Sequence, residues 1–100
     1  MTKEKSAIKE RSRTGFDEPK HYNVIIFNDD FTTMDFVIEV LTKIFGKSFE
    51  DAKAIMLAVH NEGKAVAGTY SYDIAISKAS LATKLARDND FPLKLEVEEE

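Results

Sequence analysis

From Tyr22 onward the apolar residues alternate between two spacings, every second position and every third or fourth, and no other feature restricts the fold of this chain so tightly. Tyr22, Val24 and Ile26 alternate with Asn23, Ile25 and Phe27, a β-branched and aromatic run that predicts a strand whose second face is also largely covered. It ends at Asn28. Thr32 is a good N-cap with Asp35 three residues later, and Phe36, Val37, Val40, Leu41, Ile44 and Phe45 then recur at helical spacing, predicting a helix over about Thr33–Phe45 that stops at Gly46. Ser48 and Asp51 repeat the cap pattern before a second helix with the stripe Phe49, Ala52, Ile55, Met56 and Val59, closed by Gly63. Lys64–Tyr70 suits a short strand. Ser71 then caps a third helix, whose periodic face is Ile74, Ala75, Lys78, Leu81, Ala82 and Leu85 and which runs to about Arg87. Asp88, Asn89 and Asp90 break it, and after Pro92 the residues Leu93, Leu95 and Val97 alternate with Lys94 and Glu96 in a last, half-buried strand.

This order, β-α-α-β-α-β without long parallel-sheet runs, predicts an α+β domain: a small three-stranded antiparallel sheet with three helices packed on one face. The domain is expected over residues 21–98. Met1 to about Lys20 is nearly all polar or charged, with only Ile8 and Phe16 large and apolar, and is expected to be a flexible extension because it cannot bury enough surface to offset its ordering entropy. A chain of 100 residues holds one such module and no separate catalytic domain. The net charge of −4 gives no reason to expect nucleic acid. With no cysteine, disulfides, thiol catalysis and thiolate zinc sites are excluded. The longest apolar run is far too short to span a membrane, and the polar start lacks a signal-peptide core, so a cytoplasmic location is expected.

Two segments carry chemistry. Asn28, Asp29, Asp30 and Thr32 stack an amide, two carboxylates and a hydroxyl at the end of the first strand, and His60 ends an apolar helix. In the simpler reading, Asn and Asp serve the turn through local backbone bonds, and His60 is a helix-terminal cation. In the functional reading Asn28 and Asp29 are acceptors for an ammonium, which has three donors to satisfy, and a neutral His60 offers one more. Met34, Val37, Met56 and Val59 are either plain core or, because thioethers adapt in shape, the wall of a pocket for varied apolar side chains. A metal site from His21, Asp29, Asp30 and His60 lacks the spacing that fixes coordination geometry. An enzyme built on Asp29 and His60 lacks a nucleophile, an oxyanion motif and a cofactor motif, so neither catalysis nor a cofactor is expected.

At these residues the chain resembles the ClpS family, bacterial adaptors that deliver N-degron substrates to the ClpA unfoldase of the ClpAP protease. The resemblance lies in Asn28-Asp29-Asp30-Phe31-Thr32-x-Met34, in Met56-Leu57-Ala58-Val59-His60 followed by Gly63-Lys64, and in Pro92-Leu93, and spans about residues 19 to 97. It implies that Asn28, Asp29 and His60 grip the α-amino group and first peptide unit of a substrate beginning with Leu, Phe, Tyr or Trp. Asp30, Thr32, Met34, Val37, Met56 and Leu93 would shape or border the side-chain pocket, with Met34 as gatekeeper against β-branched residues. Asp73 and Lys78 fall where the family docks on the N-terminal domain of ClpA, and the N-terminal extension resembles the segment the unfoldase engages. The resemblance further implies a monomer when free. Phe31 stands where tyrosine is usual, Thr33 where proline is frequent, Asp73 where glutamate is usual, and Asn61 where an aromatic is common. The rival reading is a general interaction module like the C-terminal domain of the ribosomal stalk protein, which needs no terminal amine.

Overall fold

The computed structural model describes residues 19–100, so the expected extension lies, apart from Pro19 and Lys20, outside the described residues. Six elements follow one another: β1 (Tyr22–Phe27), α1 (Met34–Lys43), α2 (Phe49–Glu62), β2 (Lys64–Tyr70), α3 (Tyr72–Asp88) and β3 (Lys94–Glu99). The strands form one antiparallel sheet in the order β2-β1-β3. This is the expected α+β architecture, and the most apolar strand is its centre.

Val24 and Ile26 of β1 are fully buried against the helices, while Ile25 on the opposite face is buried as well. No further layer of the described chain covers that second face. Ile25 lies opposite Val66 and Glu96, and Phe27 is flanked by the ammonium groups of Lys64 and Lys94, 5.9 and 5.0 Å from its ring centroid. Long stems of neighbouring charged side chains thus shield apolar surface while their heads stay in water. Between Val24 and Ile25 the register on β2 slips, leaving Ala67 as a bulged residue. The Tyr70 ring folds over Gly68, where a Cβ would collide with the Tyr70 hydroxyl.

Thr33, not Thr32, caps α1: its side chain accepts the Phe36 N–H at 3.1 Å. The expected cap was one residue early because the Thr32 hydroxyl donates to Asp29 instead. The helix is also shorter than its apolar pattern, since Ile44 and Phe45 bond back to the Val40 carbonyl as the chain turns toward Gly46 (φ +66°). Ser48 caps α2 as expected, accepting the Asp51 N–H at 3.1 Å, and Gly63 ends it in the left-handed conformation. Phe49, expected in the α2 stripe, is 63% exposed.

The face of α3 departs most from expectation. Ala75, Ala79, Ala82 and Ala86 are its buried residues, whereas Ile74 and Leu81 are exposed and Lys78 is half-buried. Small side chains let this helix sit close to the sheet, and larger apolar residues on the same helix face outward. Ser71 stands at the N-cap without a side-chain cap bond. Among the described residues no helix is long and apolar enough to cross a membrane.

Candidate functional site

β1 delivers the chain to Asn28, whose backbone N–H donates to the Gly63 carbonyl at 2.9 Å. One bond therefore ties the end of the central strand to the C-cap of α2, and brings the two chemistry-bearing segments together. Asp29 then shapes the loop. One oxygen, Oδ1, accepts the N–H groups of Phe31 and Thr32 at 2.8 and 2.7 Å, and Oδ2 accepts the Thr32 hydroxyl at 2.7 Å. Partial burial by itself raises the Asp29 pKa; the bonds from Thr32 and Phe31, with the Arg87 guanidinium, outweigh it and hold the carboxyl below its ordinary value of 3.8. The group is a carboxylate at neutral pH. A carboxylate has about four lone-pair sites, so one on Oδ2 is left for a further donor.

Between this loop, the first turn of α1 and the last turns of α2 lies a cavity of about 430 Å³. Its lining joins Asn28, Asp29, Asp30, Thr32, Met34, Val37, Met56 and His60, which the sequence singles out. Met56, Val59 and His60 come from one stripe of α2, because positions three and four apart share a helix face. Val59, Val37 and Met56 are buried and form the floor, while Met34 is 45% and Phe31 75% exposed at the mouth. Asn28 and His60 are exposed at the rim, and among the described residues nothing hydrogen-bonds to either side chain. The result is a cup with an apolar floor and, on its edge, solvent-facing acceptors to which no described protein group is bonded. Among the described residues no three carboxylate or imidazole groups are placed to hold a metal ion.

Three expected site residues lie elsewhere. Leu93 is 1% exposed in the core and does not line the cavity. Arg87 fixes its segment from behind, donating through one nitrogen to the carbonyls of Phe91 and Leu93 at 2.9 and 2.8 Å. Asp73 is exposed in the first turn of α3. Lys78 donates to the Ile44 carbonyl at 2.7 Å and lies 5.2 Å from the Tyr70 ring centroid, so it also fastens α3 to the end of α1. Phe31, Thr33 and Val59 line the cavity as well. Val59 takes the place expected of it in the pocket wall, whereas Phe31 was visible only as a large apolar residue stranded in a polar cluster.

Comparison with known proteins gives a consistent result. Residues 17–96 match the family model described as ATP-dependent Clp protease adaptor protein ClpS. The ATP-dependent Clp protease adapter protein ClpS of Acetivibrio thermocellus is 50% identical over 97 residues, covering 97% of this chain and 98% of that protein. Its counterpart in Wolinella succinogenes is 51% identical over 82 residues, covering 82% of this chain and 80% of that one. The structure of Agrobacterium tumefaciens ClpS2 bound to L-phenylalaninamide superposes with a TM-score of 0.80 at 38% identity, covering 83% of this chain and all of that one. With fold and sequence matching along nearly its whole length, the chain belongs to the ClpS family of Clp protease adaptors, substrate adaptors and not enzymes.

Proposed function

We propose that the cavity receives the first residue of an N-degron protein, Leu, Phe, Tyr or Trp, and that the chain delivers that protein to the ClpA unfoldase of ClpAP. The observation that carries this reading is the joining of free acceptors and an apolar floor in one cup. An α-ammonium brings three N–H donors, and Asn28, the open lone pair of Asp29 and a neutral His60 offer three acceptors. Val37, Met56 and Val59 receive the side chain. The solved relative that holds L-phenylalaninamide supports the same assignment, since that molecule is an aromatic side chain beside a free amine.

Two contributions combine. Burying a Leu or Phe side chain is worth roughly 1.5–3 kcal/mol, and a charge-assisted hydrogen bond about 1.5–3 kcal/mol. The first selects the residue type and the second selects a chain terminus over the same residue inside a chain. After the cost of association, affinity on the order of micromolar or somewhat tighter follows. Asp73 and Lys78 on α3 would meet the N-terminal domain of ClpA, leaving the cup open, and the free adaptor would be a monomer. Energy for unfolding would come from the partner's ATP.

Titration of one peptide beginning with Phe, free and N-acetylated, tests the proposal. The free form binds, and acetylation, which removes the charge and two donors, weakens binding at least about a hundredfold. Equal affinities would reject it in favour of a surface that needs no terminal amine.

A further inference from the structure

We propose that Met34 is a modification site at which oxidation of the thioether to the sulfoxide turns down capture of an apolar first residue. The inference rests on the cavity being the seat of that residue. Met34 and Met56 both line it, yet Met34 is 45% exposed at the mouth and Met56 only 6% exposed in the floor. A small oxidant such as hydrogen peroxide therefore meets the Met34 sulfur before that of Met56. The chain has no cysteine, so no thiol of its own competes for the oxidant.

The step is a two-electron oxygen transfer. A sulfur lone pair attacks one peroxide oxygen, an S–O bond forms as the O–O bond breaks, and the departing hydroxide takes the proton from the transferred oxygen, leaving the sulfoxide and water. An apolar, unbranched side chain becomes a polar one carrying a strong acceptor. The floor offers that acceptor no partner: the side chains of Val37, Met56 and Val59 have no donors, the hydroxyl of Thr32 is already given to Asp29, and the other side-chain donors of the lining, on Asn28, Thr33 and His60, stand exposed at the rim. If the oxygen points at the floor it is desolvated without a partner; if the side chain turns to the rim or to water, the mouth loses an apolar wall residue. Both responses weaken binding.

Graded peroxide treatment of the full chain tests this, with sulfoxide at each methionine quantified by peptide mass spectrometry and a Phe-starting peptide as the probe. Met34 is expected to oxidise before Met56, affinity to fall about tenfold or more in step with Met34 sulfoxide, and methionine sulfoxide reductases to restore it. Saturating peptide should slow Met34 oxidation, because a side chain seated in the cavity covers the thioether at its mouth. In Met34→Leu the ratio of affinities before and after peroxide should stay near one, whereas Met56→Leu should remain sensitive. Complete Met34 sulfoxide with unchanged affinity, or equal peroxide sensitivity in Met34→Leu, would overturn the proposal. The untreated chain is first compared with free and acetylated peptide: failure there rejects the functional reading, and this inference with it, whereas success there followed by insensitivity to oxidation rejects this inference alone.

Discussion

Asp29 combines two tasks in one carboxylate: three of its bonds hold the loop, and its remaining lone pair faces the cup. Its pKa is depressed on folding, so the sign of the pH effect is fixed: the stability it contributes is present above the ordinary value of 3.8 and is lost as pH falls through the lower folded value. The urea stability of the native chain should therefore exceed that of Asp29→Asn at neutral pH, with the gap closing on acidification from about pH 4 downward. A gap independent of pH would show that the loop does not depend on the charge. The same substitution should weaken a Phe-starting peptide about tenfold or more at pH 7, through one lost charge-assisted bond. At this scale the sequence displayed the residue types but not their division of labour. Asn and Asp after a strand suit both a turn and an ammonium, and only the distances show that Asp29 serves the turn with a lone pair to spare, while Asn28 and His60 keep their side chains free.

Two short devices set the cup's geometry at the level of elements. Thr33 fixes where α1 begins and hence where Met34 and Val37 point; Gly63 ends α2 at φ +92° and receives the Asn28 N–H. Replacing Thr33 with Ala should cost about 1 kcal/mol of stability by urea unfolding, and Gly63→Ala about 1–2 kcal/mol because an L side chain is strained in that conformation. A Thr33→Ala chain of unchanged stability would place the cap elsewhere. Elements were well legible where period and cap agreed, as for β1 and α2. The α1 cap slipped by one because adjacent threonines both fit the pattern, and the tie to Asp29 that decides between them is not local to the helix. The inner face of α3 was legible in part: Ala75, Ala82 and Leu85 face the core as expected, but Ala79 and Ala86 are buried there as well because the helix approaches the sheet closely, whereas hydrophobic size favoured Ile74 and Leu81. Putting Leu at Ala82, which is fully buried, should destabilise the chain by about 1–3 kcal/mol through overpacking.

Over the whole molecule the cup and the residues proposed to meet ClpA occupy different elements, with α3 holding Asp73 and Lys78 and contributing nothing to the cavity lining. Capture and docking should then be separable. Asp73→Lys, an exposed change, should weaken binding to the isolated ClpA N-terminal domain while leaving peptide affinity within about twofold, as expected for sites with no shared partners. Loss of peptide affinity in that variant would mean that the two surfaces are coupled. Lys78→Ala is a poorer probe, because its ammonium also holds the Ile44 carbonyl and faces Tyr70. The architecture itself was legible in full, since the alternation of spacings admits few layerings, but Leu93 was not, because a residue packed behind a wall and one within it share the same pattern. The central claim is that the cup between the Asn28–Thr33 loop and α2 seats an aromatic side chain beside a free amine. Titrating the chain with L-phenylalaninamide while following backbone amide resonances tests it most directly. The largest shifts should fall at Asn28, Thr32, Met34, Val37, Met56, Val59 and His60; shifts that leave these residues unmoved and gather on α3 or the outer face of the sheet would contradict it.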